Sequence, residues 1–214
     1  ESDREKAYQI NAEGAHNVSI LCARRHVKMI QISTDYVFDG RKERAYQERD
    51  KPSPLNIYGA SKLAGERAVR ASGARFLIVR TQSLYGVRGP NFVKTIARRL
   101  LQSDEPLKVV SDQVSSPTYT RHLSDALVRL MNVGHMGLVH VAASGECSWF
   151  EFAGAIAARV KPGAVIRPTT AAEIARPAKR PSYSVLNTDR YQAWTSHTLP
   201  SWEKGLEEYL AEEK

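Results

Sequence analysis

Tyr58 and Lys62 stand one helical turn apart in PSPLNIYGASKLAGE (52–66), and Thr34 follows a short apolar run in MIQISTDYVFDG (29–40). A free tyrosine phenol titrates near pH ~10 and is a poor acid-base group at neutrality. Side chains at i and i+4 share one helix face. An ammonium there favours the phenolate, so the spacing predicts a lowered Tyr58 pKa and a general acid or base. The bland alternative is a solvated surface pair. Thr34 bears on the choice, because it falls at the carboxyl end of a strand, beyond which open α/β sheets bind their ligands. Its hydroxyl is then placed to hydrogen-bond the oxygen that Tyr58 protonates. A turn or cap role for Thr34 and Asp35 is compatible with this.

The elements that must hold these residues are legible as patterns. The chain opens on a helix whose Ala7, Ile10, Ala15, Val18, Leu21 and Cys22 fall on one stripe. Residues 28–33 form an apolar strand, and 58–71 form a helix closed by Gly73. Residues 74–81 read as a parallel strand covered on both faces. A helix over 91–102 and a strand over 107–110 follow. SDQVSSPTYT (111–120) reads as loop, 121–132 as helix and 137–143 as strand. Ser148 caps a helix through Arg159, with Glu151 completing a capping box. The Pro-rich run 162–183 reads as an irregular loop, with short helices near 187–194 and from Ser201. Strands alternating with helices predict an α/β fold with a largely parallel sheet and a smaller lobe in the final third.

Composition narrows the class. Apolar residues make up 42% of the 214 and charged residues 25%, which suits a globular chain able to bury a core. The apolar runs are too short to span a bilayer, and no leader pattern opens the chain. The two cysteines, Cys22 and Cys147, lack metal spacing and read as free thiols of a reducing compartment, so cytoplasmic placement is expected. His16, His26, His122 and His140 also lack ligand spacing, and no metal site is expected. The net charge of +8 comes from scattered residues such as Arg24, Arg98, Arg99, Arg176, Lys179 and Arg180. That scatter argues against nucleic acid; the surplus fits an anionic small substrate better, and plain surface solubility accounts for most of these residues.

ISTDYVFDG, PLNIYGASKLAGE, LIVRTQSLYG, NFV, DQVSSPT and RPSYSVL occur in the order in which the dTDP-4-dehydrorhamnose reductase family carries them. From about Ala7 to the last helix the chain resembles that family of extended short-chain dehydrogenases/reductases. The resemblance implies a partial Rossmann-like, doubly wound parallel sheet. Residues 1–110 would belong to the NAD(P)-binding domain, with residues 111–214 a substrate-binding region interleaved with it. It implies that NADPH or NADH gives hydride to the C4 ketone of a nucleotide-linked 4-keto-6-deoxy sugar. By the match, Tyr58 donates the proton, Lys62 holds the nicotinamide ribose, and Thr34 orients the carbonyl. Asp35 lies near the sugar and Thr81 along the cofactor, while Ser83, Asn91, Thr118 and Arg180 fall in substrate-side motifs. Expected partners are the small-molecule nucleotide sugar and a homodimer mate, with no membrane and no nucleic acid.

Two departures qualify the resemblance. Ser83 stands where rhamnose reductases often carry a Trp that packs on the sugar, which leaves the sugar open. No G-x-G-x-x-G pyrophosphate loop occurs in the chain. The expectation is that the first strands of the dinucleotide half, about 70 or more residues, precede Glu1, and that these 214 residues alone bind cofactor poorly. Two alternatives stay open: a non-catalytic binding or regulatory subunit of the same fold, and an NAD(P)-dependent sugar epimerase or dehydratase.

Overall fold

The computed structural model describes residues 1, 3–175 and 177–213; Arg176, one of the scattered basic positions, lies outside them. The strands are β1 (Met29–Thr34), β2 (Phe76–Thr81), β3 (Leu84–Tyr85), β4 (Leu107–Val110), β5 (Val114–Ser115), β6 (Thr118–Tyr119), β7 (Gly137–His140), β8 (Cys147–Ser148) and β9 (Ile166–Thr169). The helices are α1 (Arg4–Tyr8), α2 (Gly14–Arg24), α3 (Ile57–Ala71), α4 (Phe92–Gln102), α5 (Thr120–Asn132), α6 (Trp149–Val160), α7 (Ala171–Ile174), α8 (Asp189–Thr195) and α9 (Trp202–Glu212).

β1, β2 and β7 form a parallel sheet in that order. Strand β2 runs apolar without alternation from Phe76 to Val79 because both of its faces are covered. Ile78 packs with Ala15 of α2 and Val69 of α3 on one face, while Leu77 and Val79 meet Leu123, Ala126 and Leu130 of α5 on the other. The chain thus has the expected α/β fold, with helices on both sides of a parallel sheet. A second core joins α4, α6 and α9 around Tyr85, Ile96, Phe152, Ile156 and Leu206. There β4 pairs in parallel with β9. The two regions interleave, since β7 completes the main sheet and β4 reaches forward to β9. Among the described residues no helix is long and apolar enough to cross a membrane.

Three local expectations need correction. The first helix is interrupted by a π-helical turn at Gln9–Glu13, which shifts the register of the turns on either side. Ala15 and Ser19 face inward, while Ile10, Val18 and Leu21 are 63%, 50% and 58% exposed. The run 162–183 contains β9 and α7. The segment 111–120 contains β5 and β6. The predicted capping box is present: the Glu151 amide donates to Ser148 Oγ at 3.1 Å, and the Ser148 amide donates to Glu151 Oε2 at 2.7 Å.

Candidate active site

The carboxyl ends of β1 and β2 and the first turn of α3 converge. Thr34 ends β1, pairs in register with Thr81 of β2, and caps the 3-10 turn Asp35–Val37. Its Oγ1 accepts from the Tyr36 amide at 3.2 Å and donates to Asp35 Oδ1 at 3.0 Å. Asn56 caps α3 by accepting from the Gly59 amide at 2.8 Å, which sets Tyr58 in the first helical turn. Gly59 brings that turn close to the sheet: a Cβ there would lie 2.0 Å from the Tyr36 carbonyl oxygen. Lys62, one turn on, donates to the Ile32 carbonyl at 2.6 Å. The Tyr36 ring meets Tyr58 edge-on, with centroids 5.9 Å apart.

These residues line one side of a cleft of about 720 Å³. Thr34, Asp35, Tyr58, Lys62, Thr81, Gln82 and Ser83 border it, and Phe92, Trp149 and Phe152 line it from the second core. Arg99, Lys108 and Arg180 add positive charge. Phe92 and Trp149 rings lie 4.5 Å apart, and Phe92 stacks on Phe152 at 5.7 Å. Sequence reasoning missed this aromatic wall and the Arg99 and Lys108 cations. Their positions come from helices and strands far apart in the chain, so no short motif marks them.

The electrostatics correct one expectation. Tyr58 is 49% exposed as a residue, yet desolvation of its hydroxyl end is the largest influence and pushes the phenol pKa up. A hydrogen bond with Thr34 pulls it back and the Asp35 charge pushes it further up. Lys62 does not produce the predicted acidification: its ammonium is turned onto the Ile32 carbonyl, and its own pKa is lowered by burial against the opposing charge of Glu66. Asp35 is fully buried, and burial raises it from 3.8 to about 6, against the pull of hydrogen bonds from Ser184 and Thr34. Its Oδ2 has no partner of good hydrogen-bond geometry among the described residues, so the nearby Ser184 hydroxyl is a weak contact.

The structure groups most of the expected residues but not all. Thr34, Asp35, Tyr58, Lys62, Thr81, Ser83 and Arg180 share the cleft. Ser83 holds a left-handed backbone, φ 47°, with its hydroxyl 2.8 Å from Ser115 Oγ. Asn91 instead caps α4, accepting from the Lys94 amide at 3.0 Å and donating to the Gly86 carbonyl at 2.7 Å. It borders a separate shallow cleft with Arg88 and Arg121. Thr118 is buried, and its Oγ1 donates to Ser116 and accepts from the Ala143 amide.

The residues present fit the nicotinamide end of an NAD(P)H molecule. Thr81 Oγ1 and both polar atoms of the Gln82 side chain are buried without a hydrogen-bond partner among the described residues, and both residues line the cleft. Such groups need a partner, and a carboxamide and ribose hydroxyls offer donors and acceptors of the right kind. The cleft size is that of a small-molecule site.

Comparison with known proteins identifies the family of the chain. The family model for the RmlD substrate binding domain matches residues 1–214. The spore coat polysaccharide biosynthesis protein SpsK of Bacillus subtilis is 39% identical over 99% of this chain and 74% of its own length. The dTDP-4-dehydrorhamnose reductase of Mycolicibacterium smegmatis is 40% identical over 99% of the chain and 65% of its own. The crystal structure of a Bacillus anthracis dTDP-4-dehydrorhamnose reductase in complex with NADP superposes with a TM-score of 0.95 at 41% identity, covering 99% of this chain and 75% of that one. The chain spans about two thirds to three quarters of the length of these relatives. This chain belongs to the RmlD substrate binding domain family, the family of the dTDP-4-dehydrorhamnose reductases.

Proposed function

We propose that the protein carrying this chain reduces the C4 ketone of a nucleotide-linked 4-keto-6-deoxy sugar, as its dTDP-4-dehydrorhamnose reductase relatives are named for doing. The observation that carries this is the meeting of Thr34, Asp35 and Tyr58 at one end of a cleft whose far wall is aromatic and cationic. NADPH or NADH, when bound, supplies the hydride. Tyr58 gives its proton to the sugar oxygen as that oxygen gains charge. A raised phenol pKa keeps Tyr58 protonated before the reaction, as a proton donor requires. The Thr34 hydroxyl hydrogen, given to Asp35 Oδ1 in this structure, turns to the same oxygen when the sugar binds and so holds the carbonyl against Tyr58. Lys62 and Thr81 hold the ribose and carboxamide side.

The far wall suits the nucleotide. Phe92 and Trp149 are half-buried rings able to stack on a base. Arg99, Lys108 and Arg180 suit the diphosphate. Ser83 leaves room beside the sugar that a Trp would fill. In this reading residues 1–110 carry the cofactor side and 111–214 belong to the substrate side, to which Phe92, Arg99 and Lys108 of α4 and β4 also contribute. The protein works as a cytoplasmic homodimer. Purified natural protein should oxidise NADPH only when a 4-keto sugar nucleotide is added. Tight binding of that sugar nucleotide without any oxidation would instead favour a non-catalytic subunit.

A further inference from the structure

Behind the cleft lies a buried ionic cluster that the proposed chemistry does not use. Glu66 follows Lys62 by one turn of α3, on the same helix face. Its Oε1 accepts from Arg80 Nε at 2.8 Å and from Ser33 Oγ at 2.5 Å, and its Oε2 accepts from Arg80 Nη2 at 2.7 Å. Glu66 and Arg80 are each 2% exposed. The Arg80 guanidinium also lies 5.0 Å over the Phe38 ring. Ser33 immediately precedes Thr34, and Arg80 immediately precedes Thr81. The cluster therefore ties one turn of α3 to the last residues of both strands that carry the site.

A buried ion pair is weak as a source of stability, because desolvation offsets most of the attraction. Packing alone would be served as well by apolar side chains of similar volume. The placement points to a different use. Among the described residues, the titratable and charged groups around this turn include Tyr58 and Glu66 on α3, Asp35 after β1, Arg80 on β2 and His140 on β7, which pairs in register with Arg80 and whose pKa burial and the Arg80 charge lower. Of these, Glu66 is the one whose charge acts on the Lys62 ammonium.

We propose that Glu66 is a positioning residue for Lys62: gripped by Arg80 and Ser33, it fixes the turn of α3 that carries the ammonium and backs that ammonium with negative charge. The inference rests on the role given to Lys62 above, and its first readout does not require turnover. Acetylation of Lys62 with acetic anhydride, followed by mass spectrometry across pH, reads the fraction of neutral amine. Glu66→Gln removes the negative charge and should move the midpoint down by about one pH unit. Because that variant leaves Arg80 buried beside a neutral partner, Glu66→Leu/Arg80→Met removes both charges at similar volume. The double variant should keep its Tm within a few degrees, shift the Lys62 midpoint the same way, and raise KM for NADPH about tenfold. A folded double variant with an unshifted midpoint and unchanged KM would overturn the proposal. If the unmodified protein oxidises no NADPH with any 4-keto sugar nucleotide, the functional reading fails, while the acetylation midpoint still decides the role of Glu66.

Discussion

The Lys62 ammonium donates to the Ile32 carbonyl at 2.6 Å, so the side chain is fixed to the strand that ends in Thr34 rather than to the phenol of Tyr58. In the proposed reading Lys62 acts by holding the cofactor side of the cleft. Lys62→Met keeps the stem and removes the charge. It should raise the Kd for NADPH about tenfold or more by fluorescence titration. The Tyr58 titration, followed by ultraviolet difference spectroscopy, should move little. A large rise in the Tyr58 pKa in that variant would restore a direct electrostatic link.

Asp35 sets a pH dependence of stability. Its folded pKa is raised from 3.8 to about 6, so the fold disfavours the ionised form. The penalty is absent below about pH 4 and grows as pH rises through about 6. Once complete, it amounts to about 3 kcal/mol. Asp35→Asn should therefore match the unmodified protein near pH 4 in urea unfolding and exceed it at pH 8. It should also lower turnover, since Asp35 borders Thr34 and Tyr58. A stability gap that does not widen between pH 4 and pH 8 would contradict this assignment.

Gly59 controls the approach of α3 to the sheet. Alanine favours helices over glycine by about 1 kcal/mol, yet a Cβ at this position would sit 2.0 Å from the Tyr36 carbonyl oxygen, a rigid backbone atom. Gly59→Ala should destabilise the fold by about 1–3 kcal/mol, read as a lower Tm. It should also displace Tyr58 from Thr34 and lower kcat more than it raises KM. An unchanged Tm and kcat would show that the turn has slack.

What could be read from the sequence is what depends on neighbours in the chain. Ser148 and Glu151 announce a helix start by their own side chains. The unbroken apolar run of β2 announces burial on both faces, and the Thr34, Tyr58 and Lys62 motifs carry the family. What escaped depends on distant partners. β9 contains Pro168 and is a strand because β4 lies beside it. Phe92 and Trp149 meet only because α4 packs on α6. The first helix misled because a π turn breaks the period on which its stripe was drawn. The phenol of Tyr58 misled because spacing predicts nearness to an ammonium but not where that ammonium points, nor how much water the fold removes.

Tyr58 as proton donor is tested most directly by Tyr58→Phe, which deletes the hydroxyl and keeps the ring against Tyr36. With a 4-keto sugar nucleotide and NADPH saturating, kcat should fall about 100- to 10,000-fold, with both ligands still binding within a few-fold of their original affinity. A kcat within about threefold of the unmodified protein would show that the proton comes from elsewhere.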